Sequence, residues 1–172
     1  MHLTAEQENQ LYLFIKQSLM TLYQKDYYLV LTRSEADYDS HVGERAIVFR
    51  FAHYLQIHLN EDPFFRDYNL DCEYYRNLMD PKRLGLLGDA ATVPDVILHR
   101  RGDNDNNLMV IEFKGYWNCH QEKDRLKIKG FTSEDDVFKF NVGYTVLIGR
   151  TIEEIVIEKY TKGIFVQQNK GL

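Results

Sequence analysis

Proline is scarce in this chain. It occurs only at positions 63, 81 and 94 of 172, so no proline-rich stretch acts as a linker. Cysteine is scarcer still. Cys72 and Cys119 are too few for a disulfide framework. Neither makes a zinc-ligand spacing with His41, His53, His58 or His120, so both are read as reduced thiols. No apolar run is long enough to cross a bilayer, which argues against a membrane partner. The opening MHLTAEQENQ is polar and acidic rather than basic-then-apolar, and the expectation is a soluble, cytoplasmic protein. Positive charge is also in deficit: 21 Lys and Arg stand against 26 Asp and Glu, for a net charge of −5. That balance disfavours binding nucleic acid through a uniformly basic surface. It leaves room for an acidic metal site beside a local basic face.

What is present is the composition of a folded domain. The 44% hydrophobic and 13% aromatic fractions support a buried core, and the length suits a single domain spanning 1–172. Thr4 and Gln7 form a capping-box pattern at the head of a helix of about 4–25, with Leu11, Phe14, Ile15, Leu19 and Leu22 at helical spacing. Ser34 to Val42 reads as a polar loop. A second helix starts near Gly43, carries Ile47, Val48, Phe51, Leu55 and Leu59 on one stripe, and stops before Pro63. Tyr68 to Arg76 alternates as a strand does, and Asn77 to Thr92 reads as a loop. Two apolar strands around Val96–Leu98 and Leu108–Phe113 flank an Asn-rich turn. A polar helix over Asn118–Gly130 follows, then a short helix or turn at Thr132–Phe140 and a strand at Val142–Gly149. Thr151 caps a last helix through Lys159, whose Ile155–Ile157 centre suits a strand equally well. Strands grouped between helices imply α/β architecture with a mixed central sheet.

Within that frame Pro94-Asp95 opens one hairpin strand, and Glu112-Phe113-Lys114 closes the other. The two ends lie side by side, and the two-residue period puts Glu112 and Lys114 on one face with Phe113 on the other. Phosphodiester hydrolysis needs charge stabilisation and a positioned water. Magnesium is held by one or two carboxylates with waters completing its shell. Asp95 and Glu112 are the candidate ligands, with the main-chain carbonyl of Phe113 as a third. Lys114 would orient or deprotonate the attacking water, or neutralise developing charge. Glu44, in the first turn of the second helix, is a candidate fourth participant and possible ligand. Charged residues in apolar strands are costly unless matched or bound to a cation, which favours a site over chance.

These residues resemble the PD-(D/E)xK nuclease superfamily. The match runs through Glu44 in GERAIVFRFAHYL, Pro94-Asp95, Glu112-Phe113-Lys114 and the helix QEKDRLKIKGF, over about 43–150. LDCEYYR before the first motif and HRRG after it look like bacterial and phage-borne members. The resemblance implies a restriction-endonuclease-like core, a central mixed β-sheet flanked by α-helices. It also implies a nuclease using Mg²⁺ or Mn²⁺, with Glu44, Asp95, Glu112 and Lys114 catalytic, acting most naturally on DNA in defence, repair or mobile-element biology. Arg100 and Arg101, beside His99, and Lys123, Arg125 and Lys127 on the polar helix are the candidate substrate contacts. A homodimer follows by analogy with members that cut both strands. The alternative is a nuclease-like domain without catalysis that binds nucleic acid or a protein partner.

Overall fold

The computed structural model describes residues 2–31, 42–88, 91–118 and 121–172. The first helix, α1 (Ala5–Lys25), starts with the expected capping box. Thr4 accepts from the Gln7 N–H at 3.2 Å, and the Gln7 side chain accepts from the Thr4 N–H at 2.9 Å. Its stripe of Leu11, Ile15, Leu19 and Leu22 is fully buried. The second helix, α2 (Glu44–Glu61), begins at Gly43 and lays Ile47, Val48, Phe51, Leu55 and Leu59 against the same core. Among the described residues no helix is long and apolar enough to cross a membrane.

Among the described residues eight strands follow: β1 (Asn69–Cys72), β2 (Arg76–Asn77), β3 (Asp80–Pro81), β4 (Val96–His99), β5 (Met109–Gly115), β6 (Val142–Ile148), β7 (Val156–Thr161) and β8 (Ile164–Lys170). Six of them form one mixed sheet in the order β1-β4-β5-β6-β7-β8, and β2 and β3 make a separate small hairpin. Among the described strands only β5 and β6 run parallel. Such a pair needs a crossover, and α3 (Glu122–Thr132) supplies it. The class is therefore α/β, with a mixed central sheet between helical layers.

Each face of the sheet has its own core. On one, α1 and α2 cover Met109, Ile111, Phe113, Tyr144 and Val146, with the Phe51 and Phe113 rings 4.8 Å apart. On the other, Ile128 and Phe131 of α3 pack on Ile97, Val110 and Tyr160. Gly143 lets α3 approach closely: a Cβ there would lie 2.6 Å from Ile128 Cγ2 and 2.8 Å from Thr132 Cγ2.

The structure departs from the sequence expectation in several places. Of the two readings of Thr151–Lys159 the strand holds and the helix does not: a single 3₁₀ turn (Ile152–Glu154) leads into β7. The following strand, β8, was not expected. It is joined to β7 by the two-residue turn Lys162-Gly163, with φ of 53° and 74°, the double positive φ that a type I′ hairpin requires. The strand expected over Tyr68–Arg76 breaks at Glu73, whose φ is 49°. Tyr27–Leu29 forms a 3₁₀ turn after α1, and Thr132–Phe140 is turns after the helix end, as expected. The polar helix begins at Glu122 rather than Asn118. Most of the expected Ser34–Val42 loop, and Cys119, His41 and His120, lie outside the described residues.

Candidate active site

The site arises from a mismatch in strand length. Pairing between β4 and β5 begins at Val96 opposite Ile111, whereas β5 runs on to Gly115 beside β6. On the side that β4 has left, the main-chain groups of Phe113 and Gly115 need other partners. Two carboxylates take them. Asp95 Oδ2 accepts from the Phe113 N–H at 2.7 Å, and Glu44 Oε1 accepts from the Gly115 N–H at 3.0 Å. The first turn of α2 thus reaches the end of β5. The N–H and C=O of one strand residue point the same way, so the Phe113 carbonyl also faces the Asp95 side.

The opposite face of α2's core carries Glu112 and Lys114, and there α3 supplies their partners. Glu112 is only 2% exposed, and its Oε2 accepts from Lys127 Nζ at 2.7 Å. The Lys127 ammonium also donates to the Val93 carbonyl at 3.2 Å. Glu112 Oε1 has no hydrogen-bond partner. Lys114 Nζ lies 3.1 Å from Asp124 Oδ2 and 3.5 Å from Glu44 Oε2. Asp124 and Lys127 are one turn apart on the sheet-facing side of α3, which explains how one helix serves both β5 residues.

Four carboxylates and two ammonium groups therefore share a mostly buried space. Burial raises Asp95 to about 6; the Phe113 N–H and Lys127 pull it down, and the charges of Asp124 and Glu44 push it up. Glu112 is held well above the usual carboxylate range, first by burial and then by Asp95. Lys114 behaves in the opposite sense. Burial lowers it, but the ion pair with Asp124 and the charges of Glu44 and Asp95 leave it raised. It is held as an ammonium, suited to donate hydrogen bonds or neutralise charge rather than to remove a proton.

No cluster of three His, Cys, Asp or Glu side chains among the described residues makes a ready metal cage. The donor set nevertheless suits a magnesium-like ion, which needs few protein ligands. Glu112 Oε1 is buried without a partner, Asp95 keeps one oxygen beyond its main-chain contact, and two uncompensated negative charges remain if all six groups ionise.

The structure brings Glu44, Asp95, Glu112, Lys114 and Lys127 together. The other candidate substrate contacts sit elsewhere. Arg125 is held by Glu158 on β7, with Nε to Oε2 at 2.9 Å and a terminal nitrogen to Oε1 at 2.7 Å, and by Glu122 at 2.7 Å. Arg101 clasps Asp71, which also meets His99 Nε2 at 2.9 Å. Arg100 lies over the Tyr68 ring at 4.9 Å, and Lys123 is exposed on α3. Asp124 completes the site although the ExK motif does not contain it. Its signal was its spacing from Lys127 on a helix following the motif. Comparison with protein-family models, curated proteins and solved structures finds no match to this chain.

Proposed function

We propose that the chain is a divalent-metal-dependent nuclease with a restriction-endonuclease-like core, acting on DNA in the cytoplasm, in defence, repair or mobile-element biology. The observation that carries it is the partnerless, buried Glu112 oxygen beside Asp95, with an ammonium positioned by two further carboxylates. Asp95 and Glu112 would hold Mg²⁺ or Mn²⁺, with the Phe113 carbonyl as a third donor and Glu44 a possible one. A divalent ion bound there supplies Lewis-acid stabilisation of charge on the attacked phosphate. Lys114, kept protonated by Asp124 and Glu44, donates to a phosphate oxygen or the leaving oxygen as charge builds. Glu44 holds the end of β5 and Lys114 in place at once. Lys127 fixes one Glu112 oxygen and so leaves the other to face the site. Cutting both strands of a duplex would call for a second copy of the chain.

The test is cleavage of linear, nicked, branched and single-stranded DNA with Mg²⁺ or Mn²⁺. Cleavage that falls by roughly 10²-fold or more in Lys114→Ala is expected. No cleavage of any substrate, or full activity in Lys114→Ala, would remove the catalytic claim. One observation favours a second reading. Lys127 already gives Glu112 a cation at 2.7 Å, as a nuclease-like domain that binds nucleic acid or protein without cutting would require. Thermal unfolding separates the two: stabilisation by Mn²⁺ that disappears in Asp95→Ala supports the enzyme, and indifference to Mn²⁺ supports the binding module.

A further inference from the structure

A pocket of about 400 Å³ opens beside the carboxylates, between the first turns of α2 and the end of β1. Asp95, Glu44, Arg45, Phe49 and Glu73 are among the residues that line it. Arg45 and Phe49 are four residues apart, so they stand one above the other on α2. Phe49 is 65% exposed, unlike the buried Ile47, Val48 and Phe51 around it in sequence. It contributes little to the core and leaves a large aromatic face open next to the candidate metal ligands. The Arg45 side chain is 87% exposed, steadied by its Nε bond to Glu73 at 2.6 Å.

The charge of this pocket limits what it takes. Three carboxylates against one guanidinium repel a free anion, whereas an uncharged planar group on Phe49 meets no such penalty. The volume is of the size that holds one small organic group. Resting on the nuclease reading of the Asp95 site, we propose that the pocket receives one unpaired nucleobase next to the phosphate under attack. Phe49 is its stacking platform, and Arg45 contacts a flanking phosphate at the pocket mouth. The preferred substrate is then single-stranded DNA or a single-stranded end. In a duplex both faces of each base are covered, and exposing one to Phe49 requires unstacking and unpairing, which a single strand avoids.

The experiment measures binding of fluorescent single-stranded and blunt duplex oligonucleotides to the full chain. Mn²⁺ is present, and Lys114→Ala keeps the strands intact. Single strands are expected to bind at least roughly 10-fold tighter than blunt duplex, and Phe49→Ala to weaken single-strand binding by roughly 10-fold or more. Phe49→Trp should retain it. Phe49 is exposed, so these variants should unfold at the parent temperature, which a melt verifies. Equal binding of duplex and single strand, an unaffected Phe49→Ala, or no binding of any oligonucleotide would overturn the proposal. Its failure is separable from that of the nuclease reading. Phe49-dependent single-strand binding without cleavage by the wild type keeps the base platform and loses the enzyme. Cleavage of blunt duplex that Phe49→Ala leaves unchanged keeps the enzyme and loses the platform.

Discussion

Replacing Asp95 with Asn should stabilise the metal-free protein at neutral pH. The Asp95 carboxyl is raised from its ordinary 3.8 to about 6, chiefly by burial, with the charges of Asp124 and Glu44 adding to it. The folded state therefore holds a proton that the unfolded chain gives up. Below about pH 4 both states are protonated and ionisation costs the fold nothing. Between about pH 4 and 6 the unfolded chain ionises first and stability falls as pH rises; above the folded value the loss is complete. At about 1.4 kcal/mol per tenfold in the proton equilibrium, the loss reaches about 3 kcal/mol. Asn is nearly isosteric, never ionises, and still accepts from the Phe113 N–H. Asp95→Asn should then match the wild type near pH 4 and exceed it by up to about 3 kcal/mol at pH 7.5. For a chain of this length that is about 6–12 °C in Tm. The assay is thermal unfolding in EDTA at pH 4, 5, 6 and 7.5, repeated with Mn²⁺. The divalent ion should raise the wild-type Tm and leave the variant unmoved. A variant less stable than wild type at pH 7.5, or a gap independent of pH, would refute the burial argument.

Lys127→Met leaves Glu112 buried without its cation and should destabilise by about 3–5 kcal/mol at pH 8. In urea unfolding the loss should shrink as pH falls, because burial already favours the neutral form of Glu112, and Glu112→Gln with Lys127→Met should recover most of it. Arg125→Ala removes charged hydrogen bonds to Glu158 and should cost about 2–3 kcal/mol in urea unfolding. It should leave single-strand affinity and the Mn²⁺ response unchanged, as expected of a strut between α3 and β7. Gly143→Ala forces a methyl against Ile128 and Thr132, and overpacking of this kind costs about 1–3 kcal/mol. Because the same helix carries Asp124 and Lys127, calorimetric Mn²⁺ binding should weaken alongside stability.

The parts of the fold set by local pattern were legible. The Thr4–Gln7 capping box, the α2 stripe from Ile47 to Leu59 and the apolar runs of β4 and β5 all take their conformation from neighbours in sequence. The C-terminal hairpin was not. Lys162-Gly163 lacks the Asn-Gly or Asp-Gly signal, and β8 is exposed along most of its length, so no apolar alternation marks it. Within the site, the shared face of Glu112 and Lys114 follows from the strand period, whereas Asp95 does not open β4 as expected but lies one residue before it and reaches the Phe113 N–H through its side chain. Which basic residues join them is not set by that period. Arg125 and Lys127 are two apart on α3 and therefore face different ways: Lys127 turns to Glu112, while Arg125 finds Glu158 on β7, 33 residues further along the chain. That choice depends on where β7 lies, and the chain around α3 carries no trace of it.

Satisfying the end of β5 does not by itself call for acids. Asn or Ser could accept from the Phe113 N–H without a buried charge, and a Gln or Leu at position 112 would need no ammonium from α3. The chain instead places Asp95 and Glu112 where burial raises both. The charges of Asp124 and Glu44 add to the first, and those of Asp95 and Asp124 to the second. The chain then uses Lys127 to satisfy only one Glu112 oxygen. It spends Asp124 and Glu44 on keeping Lys114 charged. The choices at Asp95 and Glu112 lower the stability of the isolated fold relative to a neutral alternative, whereas the contacts that keep Lys114 charged do not. All of them meet at one sheet end. Perturbed groups concentrated in this way support the proposed cation site. A cluster whose carboxylates were stabilised as anions by their neighbours would predict the opposite response to neutralisation, a loss of stability in Asp95→Asn rather than a gain.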